Sequence, residues 1–448
     1  MKKYRFKALL QNHGWLENPT VSLNESGKIV SISQEKDGEF IDGYAIPAFQ
    51  NAHSHAFQYA MAGLAENHFS TADDFWSWRE TMYSLALNLN PEQIKTIAAM
   101  LYAEMLRHGY SNVAEFHYVH HDKNGEPYSN SAETGKSLIE AAKETGIKIT
   151  LIPIFYQKGG FGIAPNERQR RFISKTFDDY ARLFEASENV CKLYENANIA
   201  VGIHSMRGVF YEDILRAAND LPNDVPFHIH VSEQLKEVED CINFLGKRPV
   251  EWLLENIDLN ERFHLVHATH LTGNETENLA KSNANVVLCP TTEGNLGDGI
   301  FPLREYQKHG GSWSIGTDSH VSLNPLEELR LLDYGQRLIS HKRNTFTDET
   351  ISDSGLFAFT KTTIAGRRAM NNFETEFFAI GKPFDACVIN ANAPLLAGVN
   401  PENLASTIVY ATDSHTFYGT FVNGNLIRED ENYERIKKKF IELMRDFR

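Results

Sequence analysis

Two histidines stand one residue apart in the stretch PAFQNAHSHAFQ, where a short apolar run ends. If that run is a strand, His53 and His55 lie on one face of it, because alternate residues of a strand share a face. Paired imidazoles on one face can bind a transition metal, since histidine nitrogen is the commonest metal ligand in proteins. A His-x-His pair alone is weak evidence, so the remaining candidates must support it.

Other chemically active side chains lie at the ends of further β-rich segments. Histidine and carboxylate side chains supply the nitrogen and oxygen ligands of catalytic zinc or iron, and arginine binds carboxylates. These candidates are Tyr118, His204, Arg207, His230, Glu233, His267 and Asp318. If the segments are parallel strands of one barrel, these side chains converge on the mouth at its carboxyl end. The sequence therefore predicts one metal site rather than scattered histidines.

The segments that must position these residues alternate with amphipathic stretches, as in a parallel sheet built from strand–helix units. In NPEQIKTIAAMLYAEMLRHG, Asn90 is a suitable N-cap, Pro91 begins the helix and Gly109 follows its end. Eight segments have strand character: YAIPAFQNAHSH, SNVAEFHY, KITLIPIFY, NIAVGIHS, PFHIHVSE, RFHLVHATH, NVVLCPTT and SWSIGTDS. Eight such repeats predict an α/β fold, a (β/α)8 TIM barrel over residues 46–375.

The two ends of the chain have a different pattern, with short strands and turns. Residues 1–45 show it first, and residues 376–448 return to it with FDACVINA, STIVYATD and TFYGTFVNGNLI. The dipeptide Asn423-Gly424 is a strong hairpin signal. We expect both ends to form one small β-sandwich domain beside the barrel.

The composition limits the partners of the protein. Lys plus Arg total 44 against 59 Asp plus Glu, a net charge of −15, which argues against nucleic acid or an anionic membrane. No stretch reaches the ~18 consecutive apolar residues of a membrane span, and the N-terminus has no signal-peptide core. The four cysteines are far apart and form no CxxC pair, which favours a reducing cytoplasm and metal ligands of nitrogen and oxygen.

Four short motifs carry a family resemblance that covers essentially the whole chain. HSH in the first segment, HVSE in the fifth, the first histidine of HATH in the sixth and GTDSH in the eighth resemble the amidohydrolase superfamily, in particular its mononuclear deaminase branch. The strings HSHAFQYAMAGLAE and FWSWRETMY resemble the members that hydrolyse N-formimino-L-glutamate to N-formyl-L-glutamate and ammonia in histidine degradation. The resemblance implies one divalent metal ion, Zn²⁺ with Fe²⁺ as the other candidate, held by His53, His55, His230 and Asp318.

The resemblance also implies roles for the other site residues. Glu233, His267 and Asp318 would be catalytic: Glu233 carries a proton to the leaving nitrogen, and His267 orients or stabilises the oxygen nucleophile. The implied substrate-binding residues are Gln58, Arg79, Tyr118, His204 and Arg207. A formimino-glutamate has two carboxylates, and arginine pairs with carboxylate bidentately, so a small anionic substrate is compatible with an acidic protein. Tyr59 departs from the family pattern, in which an arginine is expected.

Periodicity alone leaves several histidines open. His228 and His230 share a strand face, and the family pattern selects His230, which leaves His228 to pack in the barrel wall. His270 and the pair His120 and His121 fall in loops, and we expect no role for them in the chemistry.

Two other functions are compatible with the motifs. A deaminase of guanine or another nucleobase would need stacking and edge-reading groups in place of two arginines, and FWSW could supply the stacking. A metal-binding protein without catalysis is the non-enzymatic alternative. The presence of Glu233 and His267 argues against it, because a structural metal site needs no proton shuttle. A homodimer is a common assembly of such enzymes and is compatible with the resemblance.

Overall fold

The computed structural model describes residues 1–66 and 75–447. The chain begins with strands that belong to a sheet outside the barrel, as the strand-and-turn pattern predicts. They are β1 (Lys2–Gln11), β2 (Gly14–Glu17), β3 (Thr20–Leu23), β4 (Ile29–Ser33) and β5 (Glu39–Pro47). β3 and β4 form an antiparallel hairpin.

All eight predicted barrel segments contain a strand, and these strands are parallel neighbours in chain order. They are β6 (Phe49–Ser54), β7 (Tyr110–His117), β8 (Lys148–Phe155), β10 (Val201–Ser205), β11 (Phe227–Val231), β12 (Phe263–His267), β13 (Asn285–Leu288) and β14 (Ser312–Ile315), with the short β9 (Ala197–Ile199) paired to β8. β7, β11, β12 and β13 are buried along their whole length, because helices cover the outer face of a parallel barrel. The predicted fold class is confirmed.

The connections between the barrel strands are mainly helical. The helices as far as the end of the barrel are α1 (Phe75–Asn88), α2 (Pro91–Arg107), α3 (Glu133–Thr145), α4 (Phe177–Cys191), α5 (Tyr211–Asp220), α6 (Leu235–Leu245), α7 (Pro249–Asn256), α8 (Gly273–Lys281), α9 (Pro290–Leu296), α10 (Leu303–Lys308), α11 (Pro325–Ser340) and α12 (Ser354–Ala369). Asn90 caps α2, as the sequence predicts, and it forms a capping box with Gln93. In the part of the chain that the structure describes, no helix is long and apolar enough to cross a membrane.

The second sheet takes strands from both ends of the chain. The C-terminal strands are β15 (Ala386–Asn390), β16 (Phe417–Val422) and β17 (Asn425–Ile427), and the strand order is β17-β16-β15-β5-β1-β3-β4. β16 and β17 pair antiparallel around the predicted Asn423-Gly424 turn. The domain boundaries at residues 45/46 and 375/376 remain an interpretation, with β5 ending at Pro47 and β15 beginning at Ala386.

One C-terminal prediction is wrong, because STIVYATD does not form a strand. It lies in helix α13 (Pro401–Ala411), which begins after the N-cap Asn400. The cap and the proline in the first turn start a helix that packs on α12, and this outweighs the strand preference of the β-branched residues. A further helix, α14 (Glu431–Phe447), packs against α2.

The barrel closes between its last and first strands, and this closure positions the site. The amides of Thr317 and Asp318 both donate to the carbonyl of His53, at 3.1 and 3.0 Å. Only glycine fits at position 316 without a shift, because a Cβ there would lie 2.8 Å from the carbonyl oxygen of His53. The close approach brings the residues that follow β14 directly beside those that end β6.

Candidate active site

Four predicted metal ligands converge at the carboxyl end of the barrel. The Nε2 atom of His53 lies 3.2 Å from Nε2 of His55 and 3.0 Å from Nε2 of His230. An oxygen of Asp318, Oδ1, lies 3.5 Å from Nε2 of His53 and 3.3 Å from Nε2 of His55. Two further imidazole nitrogens and one carboxylate oxygen therefore cluster around Nε2 of His53, and the four side chains come from three different strand ends.

The hydrogen bonding of these imidazoles suits metal binding. Nδ1 of His55 lies 2.8 Å from the carbonyl oxygen of Phe116. Because a carbonyl can only accept, Nδ1 carries the proton and Nε2 presents a lone pair to the centre. Burial lowers the pKa of His53 to about 3, so its ring is neutral, which is the form that binds a metal. The donor set of imidazole nitrogen and carboxylate oxygen fits a zinc-like divalent ion.

Three residues around this centre have backbone conformations that L-amino acids adopt rarely. The φ angles are +47° at Asp318, +69° at His267 and +51° at Ser232, next to Glu233. Each follows or ends a barrel strand, and the sharp turns there direct the side chains of Glu233, His267 and Asp318 into the cavity. Such conformations cost of order 1–3 kcal/mol each and cluster at functional sites, where the surrounding fold holds them.

His267 lies among carboxylates. Its Nε2 is 3.7 Å from Oε1 of Glu233 and 3.8 Å from Oδ2 of Asp318, and its Nδ1 donates to Oε1 of Glu293 at 3.2 Å. Burial alone would lower the pKa of His267, but Glu233 and the bond to Glu293 raise it to about 10. The pKa of Glu233 is raised by burial, although His267 and Arg207 oppose the shift. A carboxyl with a raised pKa beside a positively charged imidazole is suited to proton transfer near neutral pH.

Arg207 connects Glu233 to a second buried glutamate. Its Nη2 donates to Oε2 of Glu233 at 3.3 Å, and its Nε lies 3.4 Å from Oε2 of Glu237. All three side chains are buried. The arginine that the family resemblance assigns to a substrate carboxylate therefore also contacts the predicted proton shuttle.

One cavity beside the candidate metal centre is lined by every predicted site residue except the fully buried His53. Arg79 reaches the cavity from α1, and its guanidinium lies 5.5 Å from the centre of the Tyr83 ring. Gln58 donates from Nε2 to the hydroxyl of Tyr118 at 2.9 Å, which joins two of the predicted substrate-binding residues. The ring of His204 lies 4.1 Å from that of Tyr156. The structure thus brings together all the residues that the sequence singled out for chemistry.

The histidines expected to be bystanders lie outside this cavity. Nε2 of His228 donates to the carbonyl oxygen of Ala369 at 3.1 Å, and the His228 ring stacks on that of His264 in the barrel wall. The Nε2 atoms of His120 and His121 lie within hydrogen-bond distance of the backbone carbonyls of Ile154 and Ile173. These contacts give the three histidine rings structural roles in the fold.

Sequence reasoning missed three buried carboxyl groups near the site, those of Glu237, Glu293 and Asp298. Glu293 follows β13 closely, so its position after a predicted strand end was a usable signal. Glu237 follows Glu233 by one helical turn. Burial, together with the nearby charge of Glu233, raises the pKa of Asp298 to about 9. In an acidic chain, nothing local distinguishes Glu237 and Asp298 from exposed glutamates and aspartates.

Comparisons with known proteins agree with this site. The model of the amidohydrolase family matches residues 44–427. The formimidoylglutamate deiminase of Pseudomonas aeruginosa is 39% identical over 98% of this chain and 97% of its own length. A 5-methylthioadenosine/S-adenosylhomocysteine deaminase of Thermodesulfovibrio yellowstonii is 26% identical over 85% of this chain and 80% of its own. The crystal structure of an amidohydrolase from Brucella melitensis superposes with a TM-score of 0.93, at 37% identity, over 100% of this chain and 99% of that one.

Proposed function

The chain belongs to the amidohydrolase family, and we propose that it hydrolyses N-formimino-L-glutamate to N-formyl-L-glutamate and ammonia. The reaction replaces the terminal imino nitrogen of an amidine by the oxygen of water. The near full-length similarity to a formimidoylglutamate deiminase supports this activity, whereas the adenosine-type deaminase is a more distant relative. The protein is accordingly a hydrolase that acts on a carbon–nitrogen bond.

One observation carries the choice of substrate: two arginines line the same cavity as the metal centre and the proton-transfer groups. N-formimino-L-glutamate has two carboxylates, and an arginine binds a carboxylate with two parallel hydrogen bonds. A nucleobase has no carboxylate for Arg79 or Arg207 to bind. Because the whole protein carries a net charge of −15, an anionic substrate depends on the local positive charge that these two arginines supply.

We take the metal to be one Zn²⁺ ion, held by His53, His55, His230 and Asp318. The lone pair that the Phe116 carbonyl imposes on His55 and the neutral form of His53 support this set. When bound, such an ion acidifies a water molecule and so supplies the nucleophile. Fe²⁺ prefers similar nitrogen and oxygen ligands and is the other candidate.

The side chains of the cavity divide the remaining work. Arg79 and Arg207 hold the carboxylates, which places the formimino carbon beside Asp318 and Glu233. Oδ2 of Asp318 takes a proton from the attacking water, and Glu233 gives a proton to the nitrogen as the tetrahedral intermediate forms. When the carbon–nitrogen bond breaks, the proton on Asp318 passes to the departing ammonia and the hydroxyl proton of the intermediate restores Glu233. Nε2 of His267 lies between these two carboxylates and donates to the developing oxyanion.

Ammonia release from three compounds tests the proposal. We expect rapid release from N-formimino-L-glutamate, slower release from N-formimino-L-aspartate, whose second carboxylate is one methylene nearer, and none from guanine. Guanine turnover without formimino-glutamate turnover would refute the assignment.

A cytoplasmic location is a further proposal, supported by four buried free cysteines, and a homodimer stays a prediction.

A further inference from the structure

Glu237, on helix α6, is fully buried beside the active site and has three hydrogen-bond donors around its carboxylate. The amide of Ser232 donates to Oε1 at 3.1 Å, and the amide of Glu233 donates to Oε2 at 3.3 Å. Nε of Arg207 lies 3.4 Å from Oε2. One side chain therefore contacts both the backbone that presents Glu233 and the arginine that touches the Glu233 carboxylate.

The backbone around Ser232 needs such support. Its φ of +51° lies in a region that costs a non-glycine residue energy, and this conformation directs Glu233 into the cavity. The hydrogen bonds from the backbone amides of Ser232 and Glu233 to the Glu237 carboxylate stabilise this turn. Because β11 ends at Val231 and α6 begins at Leu235, Glu237 ties the first turn of the helix to the end of the strand.

A glutamine cannot replace this carboxylate without loss. A carboxylate has two accepting oxygens and a negative charge, whereas an amide has one oxygen and an NH₂ group that only donates. With the NH₂ group at the position of Oε2, it would face the amide of Glu233 and Nε of Arg207. At the position of Oε1, it would face the amide of Ser232. Either orientation sets donor against donor in a buried place, and either removes the negative charge that pairs with Arg207.

We propose that Glu237 is a positioning residue for the proposed deimination: it fixes Arg207 and the Ser232–Glu233 turn so that the Glu233 carboxylate meets the leaving nitrogen. The inference rests on the proposed function for its kinetics, but its structural basis does not depend on the substrate. Removing comparable supporting contacts typically costs 10- to 100-fold in activity. We expect Glu237→Gln to lower kcat by roughly that factor.

A double-mutant cycle with Glu233→Gln separates positioning from general damage. If Glu237 acts through Glu233, Glu237→Gln should lower kcat in the wild-type background and have little further effect on kcat when Glu233 is already glutamine. The KM for N-formimino-L-glutamate should rise in both backgrounds, since Arg207 is displaced in both. Equal, additive losses of kcat in the two backgrounds would overturn the proposal.

Glu275 provides a matched control. It is also a buried glutamate, and it accepts from Nε of Arg248 at 2.7 Å and from the amide of Thr272 at 2.8 Å, but neither of these partners lines the cavity, whereas Arg207 and Glu233 do. Glu275→Gln should lower the melting temperature and leave kcat unchanged. A similar loss of kcat in Glu275→Gln would show that any buried glutamate has this effect, and would overturn the specific role of Glu237.

Crystal structures of the wild-type protein and of Glu237→Gln complete the test. We expect the Arg207–Glu233 contact of 3.3 Å to be altered in the variant. If the wild-type protein releases no ammonia from N-formimino-L-glutamate, the proposed function fails, and the structures alone decide the positioning role. Unchanged places for Arg207 and Glu233 in the variant would refute that role whatever the substrate is.

Discussion

Replacing Arg207 by alanine should damage the enzyme in three ways, whereas replacing Arg79 should mainly weaken substrate binding. Both guanidinium groups line the cavity and are proposed to hold substrate carboxylates. Arg207 also has ion-pair contacts with Glu233 and Glu237, at 3.3 and 3.4 Å. Removal of Arg207 therefore also breaks ion pairs with two buried carboxylates of the protein itself.

The magnitudes follow from these contacts. A lost charge-assisted hydrogen bond to a carboxylate costs about 1.5–3 kcal/mol, which raises KM by roughly ten- to a hundred-fold or more in either variant. Arg207→Ala also removes the buried cation beside Glu237 and one of the two beside Glu233, and breaking a buried ion pair costs about 3–5 kcal/mol of stability. Its kcat should fall further than that of Arg79→Ala, because Glu233 loses the group that fixes it. Lysine should restore little at either position, since a point charge does not reproduce the planar fork.

Steady-state ammonia release, thermal unfolding and metal content measured on the same preparations test this difference. Arg248→Ala is the matched control, because Arg248 pairs with the buried Glu275 outside the cavity, and it should lose stability without a change in KM. All variants should keep their metal. Normal turnover of N-formimino-L-glutamate by both Arg79→Ala and Arg207→Ala would refute the carboxylate-binding assignment. Equal losses of stability and kcat in both variants would refute the additional role of Arg207 in supporting Glu233 and Glu237.

Three further predictions concern the metal, the proton transfer and the pH dependence of stability. His230→Ala should lose most of its metal by elemental analysis, and His228→Ala should keep it; full metal and activity in His230→Ala would remove that residue from the ligand set. Glu233→Gln should keep the metal and lose turnover by a factor on the order of 10² or more; a near wild-type rate would assign the proton transfer to another group. The pKa of Asp298 is raised from 3.8 to about 9, so the folded protein keeps a proton that the unfolded chain has released. Its contribution to the free energy of unfolding is therefore present below about pH 4 and is lost as the pH rises toward 9. Asp298→Asn should weaken this pH dependence in urea unfolding at pH 5 and pH 8, and an unchanged pH dependence would contradict the assignment.

The sequence by itself determined the fold class and the identity of most side chains at the site. Its signals are local: a strand alternates with period two, a helix with period 3.6, and a strand end is marked by the turn that follows it. The spacing of His53 and His55 placed both on one face, and the strand-end rule for barrels placed His230 and Asp318 at the same mouth. The N-cap Asn90 was also predictable from the sequence, because it directly precedes the proline that begins the helix.

Neighbouring residues alone gave one wrong prediction and left one choice of residue open. The β-branched residues of STIVYATD favour a strand, but Asn400 and Pro401 begin a helix there that packs on α12. His228 and His230 have the same periodicity, and only the closed barrel shows that His230 lies 3.0 Å from His53 while His228 contacts the carbonyl of Ala369 in the wall.

The tertiary structure alone decided the contacts between side chains from separate elements. Arg207 follows β10, Glu233 follows β11 and Glu237 lies on α6, yet their side chains form one buried chain of charges. Glu293 reaches His267 across 26 positions of sequence. No local pattern encodes such contacts, because they depend on how the strands are staggered and on the closure of β14 against β6. The sequence determines which chemical groups the site contains, and the closed barrel determines which of them touch.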